Sequence, residues 1–177
     1  MNPSLPAPLR GRARRFGDDI DTDVIYPGKF LAILDPAQMA SHLMAGVDPS
    51  FASTVRPHDV IVAGKFFGCG SSREQAVLAM AAAGIAVVVA KSFARIFYRN
   101  GLNSGLWLLR CPLADTIPDL ATLRIDLTAC QIVDEGSGAT FAFEPVPPFL
   151  AQIVLAGGLV PHLKARLAQR PPEVHVG

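Results

Sequence analysis

At 177 residues the chain has the size of one domain, and folding buries roughly two-thirds to 70% of its unfolded surface. Half of its residues are apolar and 18% are charged, which excludes a disordered tail, and a net charge of +1 leaves no electrostatic case for nucleic acid. Cys69, Cys111 and Cys130 are odd in number and far apart, which excludes a disulfide framework or a cysteine-held zinc or cluster site and fits a reducing cytoplasm.

Residues 1–9 carry Pro3, Pro6 and Pro8 and no apolar h-region, so they read as a frayed tail and not as a secretory signal. Residues 10–16 alternate arginine with small or apolar side chains and predict a strand, with Arg10, Arg12, Arg14 and Arg15 on a solvated face. Residues 17–23, GDDIDTD, form a dense acidic loop. Residues 36–46 predict a short helix stopped by Gly46, and 47–57 a loop. Residues 59–64, DVIVAG, are a β-branched apolar run bounded by turn residues, hence a buried strand. The loop 64–70 leads into an alanine-rich helix over 72–83, ended by Gly84, and 85–90, IAVVVA, are a second buried strand. Strand, loop, helix and strand within about 30 residues make a βαβ unit, with parallel strands and a right-handed crossover.

Ser92 caps a helix over 93–99 that Asn100-Gly101 ends, and 106–109 is a short strand. Between 122 and 143 the character changes. LRIDL, QIVDE and ATFAF read as antiparallel strands with a turn at Gly136-Ser137-Gly138. Helices over 148–156 and 160–170 flank Gly157-Gly158, and 171–177 is a second flexible tail. The longest apolar run, 76–90, is too short to span a bilayer and is split by Gly84, so no membrane anchor is expected. The expected fold is one α/β domain over 10–170 with mixed parallel and antiparallel strands.

The chemistry concentrates in residues 67–75, FGCGSSREQ, between a buried strand and a helix. Gly68 and Gly70 let the backbone turn tightly and approach a ligand, and free N–H groups at the helix start favour an anion. Arg73 adds a fork that grips a carboxylate in two places. Together they suit a carboxylate or phosphate clamp. The same letters also fit a plain capping box, Ser71 as N-cap and Glu74 reaching back, and the pattern alone leaves both readings open. Other motifs fail: a dinucleotide fingerprint needs glycine where Arg73 stands, a nucleophile elbow around Ser72 needs glycine at Glu74, and Phe66 after Gly64-Lys65 rules out a P-loop.

GCGSSREQA, preceded by DVIVAGKFFG and followed by IAVVVAKSFARIFYRNGLNSGL, resembles the small subunits of 3-isopropylmalate dehydratase and its homoaconitase relatives. The segments GDDIDTDVIYPGKFL and IVLAGGLVPHLKARL belong to the same pattern, so the resemblance spans nearly the whole chain outside the tails. It implies a swivelling β/β/α domain like the fourth domain of aconitase, encoded as a separate subunit. It also implies a partner, a large subunit that holds a [4Fe–4S] cluster through its own cysteines, with no metal or cofactor on this chain. The implied reaction moves a hydroxyl group between neighbouring carbons of a 2-hydroxy dicarboxylate by dehydration and rehydration.

By this resemblance Ser71 matches the catalytic base, which local N–H donors, the helix N-terminus and Arg73 must activate. Ser72, Arg73 and Gly70 fall on substrate-binding positions. Asp23 matches an acidic residue close to the site, where it orients donors; its plain alternative is a turn or N-cap aspartate. Cys69 is a small packed residue, and His42, His58, His162 and His175 are surface or capping histidines. Arg95 and Arg99, one helical turn apart, either meet the partner or form a solvated face.

The loop Phe30, Leu31, Ala32 and Ile33 is expected to read the substrate's variable arm. Homoaconitase-like relatives have arginine where Ala32 stands, so an apolar Ala32-Ile33 favours an isopropyl arm, hence leucine biosynthesis. Citramalate, dimethylmalate and homoaconitate are the alternatives. Two other classes stand beside this reading: a non-catalytic assembly module of the same fold, and an unrelated phosphate-binding βαβ domain. Intact Ser71, Ser72 and Arg73 argue against the first.

Overall fold

The computed structural model describes residues 5–71 and 73–168. Seven strands form one sheet in the order β4-β3-β2-β1-β5-β6-β7. They are β1 (Leu9–Arg15), β2 (Val60–Ala63), β3 (Val87–Ala90), β4 (Trp107–Arg110), β5 (Thr122–Asp126), β6 (Gln131–Asp134) and β7 (Thr140–Ala142). The helices are α1 (Thr22–Ile25), α2 (Pro36–Ala40), α3 (Phe51–Thr54), α4 (Glu74–Ala82), α5 (Arg95–Asn103), α6 (Pro148–Leu155) and α7 (Leu159–Ala168). The expected mixed α/β architecture is therefore what forms.

The two halves of the sheet differ for a reason written in their residues. Strands β2 and β3 are VIVA and VVVA, buried at every position, and they pair in parallel with Val60 opposite Val87. Burial on both faces demands unbroken apolar runs. Strands β5 and β6 alternate exposed and buried positions and pair antiparallel, Ile125 opposite Ile132. Strand β1 joins the halves. Its first part, Leu9 to Arg12, runs antiparallel to β5, and its last part, Ala13 to Arg15, runs parallel to β2.

Several boundaries depart from the sequence expectation. Helix α4 starts at Glu74 and not at 72, with Arg73 as an N-cap that makes no side-chain capping bond. Helix α5 starts at Arg95, and Ser92 does not cap it. The Ser92 hydroxyl instead accepts the Phe66 N–H at 2.9 Å. The helix also runs past Asn100-Gly101 to Asn103, because Gly101 lets it lie close to β4: a methyl there would sit 2.7 Å from Leu108 Cδ1. The acidic loop contains α1, the expected 36–46 helix ends at Ala40, and α3 sits inside the expected 47–57 loop. Strand β1 begins at Leu9, inside the expected N-terminal tail, while residues 1–4 and 169–177 lie outside the described residues. Among the described residues no single helix is long and apolar enough to cross a membrane.

Only half of the arginine run is a solvated face: Arg10 and Arg15 are exposed, whereas Arg12 and Arg14 are half-buried. Arg12 donates from Nε and Nη2 to Asp59 at 3.1 and 2.6 Å, and Asp59 is 3% exposed. Arg14 lies over the Phe51 ring, 4.6 Å from its centroid, with Nη1 3.6 Å from the same carboxylate. Arg10 pairs with Glu135 at 2.9 Å. These contacts pin β1 to the segments on either side. Asp59→Ala would leave two guanidinium groups facing an apolar gap, so the chain should lose about 2–4 kcal/mol in denaturant unfolding.

Candidate active site

The loop after β2 is strapped down from both sides. On one side Gly68 N–H donates to Ile20 O at 2.8 Å, and Thr22 N–H donates to Cys69 O at 2.9 Å. On the other, Phe67 N–H donates to Ser92 O at 3.0 Å and Ala94 N–H to Phe67 O at 2.9 Å. The acidic segment, the glycine-rich loop and the start of α5, far apart in sequence, thus meet at one end of the parallel half-sheet. Gly68 and Gly70 are where this requires glycine. Both have positive φ, and an added methyl would lie 2.1 Å from Phe97 Cγ at Gly68 and 2.2 Å from Asp21 Oδ2 at Gly70.

Arg73 leaves the helix start in extended conformation and reaches across to α1. Its Nη1 and Nη2 grip the two oxygens of Asp23, the latter at 2.6 Å, and Nη1 also donates to Tyr26 O at 3.2 Å. Three of the guanidinium's five N–H groups are used in this way. The Nε edge, with the outer Nη2 hydrogen, is a second fork with the geometry of a carboxylate. Asp23 also accepts the Gly28 N–H at 3.3 Å. It is therefore not a helix cap. That role belongs to Asp21, whose carboxylate accepts the Asp23 N–H at 2.6 Å.

The structure brings Asp23, Arg73, Gly70 and the Ser71 backbone together. The Ser71 carbonyl accepts the Thr22 hydroxyl at 2.6 Å, and the residue itself is exposed. Ser72 lies outside the described residues. Because α4 begins three residues after Ser71, the capping-box pairing of Ser71 with Glu74 does not form as an N-cap. A cavity of about 340 Å³ opens beside the loop, lined by Thr22, Gly70, Arg73, Phe97 and Asn100 among others. Cys69 also lines it, and burial, with Asp21 and Asp19 nearby, pushes its thiol pKa up. It is held as a neutral thiol, which suits a packed residue and not a nucleophile.

The segment Phe30, Leu31, Ala32 and Ile33 does not line this cavity. The Phe30 ring stacks on His42 with centroids 3.7 Å apart, Leu31 and Ile33 are half-buried, and Ala32 is exposed. Its link to the site is Gly28, where a methyl would lie 3.5 Å from both Arg73 Nη1 and Asp23 Oδ1. Arg95 and Arg99 are exposed on α5, Arg95 at the cavity wall beside the exposed Ile96. Sequence reasoning missed Asp21 and Thr22, whose only signal was their place ahead of Asp23 in IDTD. Among the described residues no group of three or more His, Cys, Asp or Glu is arranged to hold a metal.

The model of the Aconitase C-terminal domain family matches residues 11–113. The 3-isopropylmalate dehydratase small subunit 1 of Methanopyrus kandleri is 51% identical over 157 residues, covering 88% of this chain and 92% of its own length. The 3-isopropylmalate dehydratase small subunit of Thermodesulfovibrio yellowstonii is 45% identical over 161 residues, covering 90% and 96%. The crystal structure of 3-isopropylmalate dehydratase (leuD) from Methanocaldococcus jannaschii matches with a TM-score of 0.88 at 49% identity, covering 91% of this chain and 96% of that one.

Proposed function

The chain belongs to the Aconitase C-terminal domain family, and from that premise we propose that it is the small subunit of a 3-isopropylmalate dehydratase, a hydro-lyase of leucine biosynthesis. The observation that carries this reading is the Asp23–Arg73 pair set against the Gly68–Ser71 loop, which leaves one guanidinium edge turned away from Asp23 for a substrate carboxylate. Arg73 binds that carboxylate, Ser72 and Gly70 contribute to the same grip, and Ser71 takes the proton from the neighbouring carbon. Asp23 fixes the Arg73 fork in direction, so the arginine meets substrate without first losing side-chain freedom.

The implied [4Fe–4S] cluster is assigned by the family resemblance to the large subunit, where it would act as a Lewis acid. The work of this chain is to bind, orient and move a proton. Ser71 is exposed, so the water exclusion that a serine base requires falls to the partner that closes over it. The setting is a cytoplasmic complex of two subunits with no nucleic acid or membrane involved. The isolated chain should fold and show no turnover of isopropylmalate. Addition of the large subunit and iron under anaerobic conditions should restore alkene formation, measured by absorbance. Dehydration by this chain alone, stripped of metal, would sink the split-site reading.

The apolar loop Phe30, Leu31, Ala32 and Ile33 favours an isopropyl arm over the carboxylate arm of homoaconitate. In the assembled enzyme Ala32→Arg should set a cation against the isopropyl group and offer a carboxylate arm a bond of about 1.5–3 kcal/mol. The ratio of kcat/KM for isopropylmalate to that for homoaconitate should therefore fall by on the order of 100-fold or more. An equal fall for both substrates would mean damage to the loop. An unchanged ratio would remove the main support for isopropylmalate over citramalate, dimethylmalate or homoaconitate.

A further inference from the structure

Thr22 is only 1% exposed, although it sits in the most acidic segment of the chain. Its hydroxyl donates to the Ser71 carbonyl at 2.6 Å, and its own N–H donates to Cys69 O. Resting on the reading of Ser71 as proton acceptor, we propose that Thr22 is a positioning residue that fixes the direction of the Ser71 side chain for proton transfer.

The arrangement of ties around the loop carries this assignment. The backbone bonds that hold the loop from the side of residues 20–22 reach Gly68 and Cys69 and stop there. Beyond them, among the described residues, the next anchor is the side chain of Arg73, held by Asp23. Between these two anchors lie Gly70, Ser71 and Ser72, the last outside the described residues. Gly70 has φ +85 and no side chain, so it is the natural swivel of the stretch. Among the described residues the Thr22 hydroxyl is the bond that reaches across this gap to Ser71. Turning the Ser71 peptide about Gly70 would swing the serine hydroxyl away from the substrate. The Thr22 bond resists that turn.

A bond that only closed the loop would act on stability, because the other backbone ties remain in place without it. A bond that aims Ser71 acts on rate. The test uses the complex of this chain with its large subunit. Thr22→Val keeps the side-chain shape and deletes the hydroxyl, and Thr22→Ser keeps the hydroxyl and deletes the methyl. Thr22→Val should lower kcat by about 10- to 100-fold, as a misaimed group does, with KM changed by less than about threefold. Thr22→Ser should restore most of the rate. In a Ser71→Ala background Thr22→Val should cause no further loss, since it acts through Ser71.

Wild-type kcat in Thr22→Val, an equal loss in Thr22→Ser, or a full additional loss on top of Ser71→Ala would each overturn the assignment. If Thr22→Val does not assemble, Thr22→Ala takes its place, and failure of both to assemble makes the role structural and overturns it as well. Ser71→Ala is the control for the reading beneath: full activity there would sink the role of Ser71 itself. An inactive Ser71→Ala beside an unaffected Thr22→Val would sink only the inference about Thr22.

Discussion

Ser71→Ala should lower kcat of the assembled enzyme by at least ~10³ and leave KM almost unchanged, because a base acts only in the transition state. The same substitution should change folding stability by less than about 0.5 kcal/mol, as surface changes usually do. The structure separates these two effects. Ser71 is exposed, and α4 takes Arg73 as its N-cap, so α4 does not have the serine as its cap. Steady-state rates in the complex and denaturant unfolding of the free chain check the two halves. A stability loss near 1 kcal/mol with an intact rate would restore the capping reading, because that is the usual cost of deleting a serine cap.

Arg73→Lys should lower kcat/KM by about 100-fold, carried mostly by KM. In the proposed role one guanidinium serves two partners at once: its end binds Asp23 and the Tyr26 carbonyl, and its Nε edge takes the substrate carboxylate. A lysine ammonium is a point charge with three donors on a flexible stem. Placed against Asp23, it has no second planar edge to present. The loss of one charge-assisted pair, about 1.5–3 kcal/mol, corresponds to roughly a 10- to 150-fold change in binding. If KM were unchanged and only stability fell, Arg73 would be a strut between α1 and α4 and no more.

The parallel half of the fold was legible because β2 and β3 are short β-branched runs buried on both faces, a pattern that carries its own explanation. The antiparallel half was legible from period-two alternation in β5 and β6. Helix starts were not, because the side chains at or near them serve distant partners in place of the adjacent helix. Ser92 goes to the Phe66 N–H, 26 residues back, and Arg73 goes to Asp23, 50 residues back. Arg12 and Arg14 departed from the expected solvated face for the same reason: the acid that holds them is 47 residues from Arg12 in sequence. Within the site, the glycines and Arg73 fitted an anion clamp and a capping box alike, and Asp23 entered through the resemblance. Thr22 gave no signal beyond its place in IDTD, because a threonine between two aspartates looks like a solvated turn until the loop from β2 folds over it.

The central place of β1 also sets a timetable for the molecule's birth. Strand β1 leaves the ribosome ahead of both β2 and β5, yet needs both as neighbours, and one of its ties, Arg15 N–H to the Asp119 carboxylate, joins residues 104 apart. At about 5–20 residues per second, that second neighbour arrives on the order of 5–20 s after β1. Until then one edge of β1 offers bare N–H and C=O groups, the kind of edge that pairs with strands of other chains. A nascent chain halted just after β4 would have its βαβ unit complete and this edge still open, and that is the length at which a chaperone has most to cover.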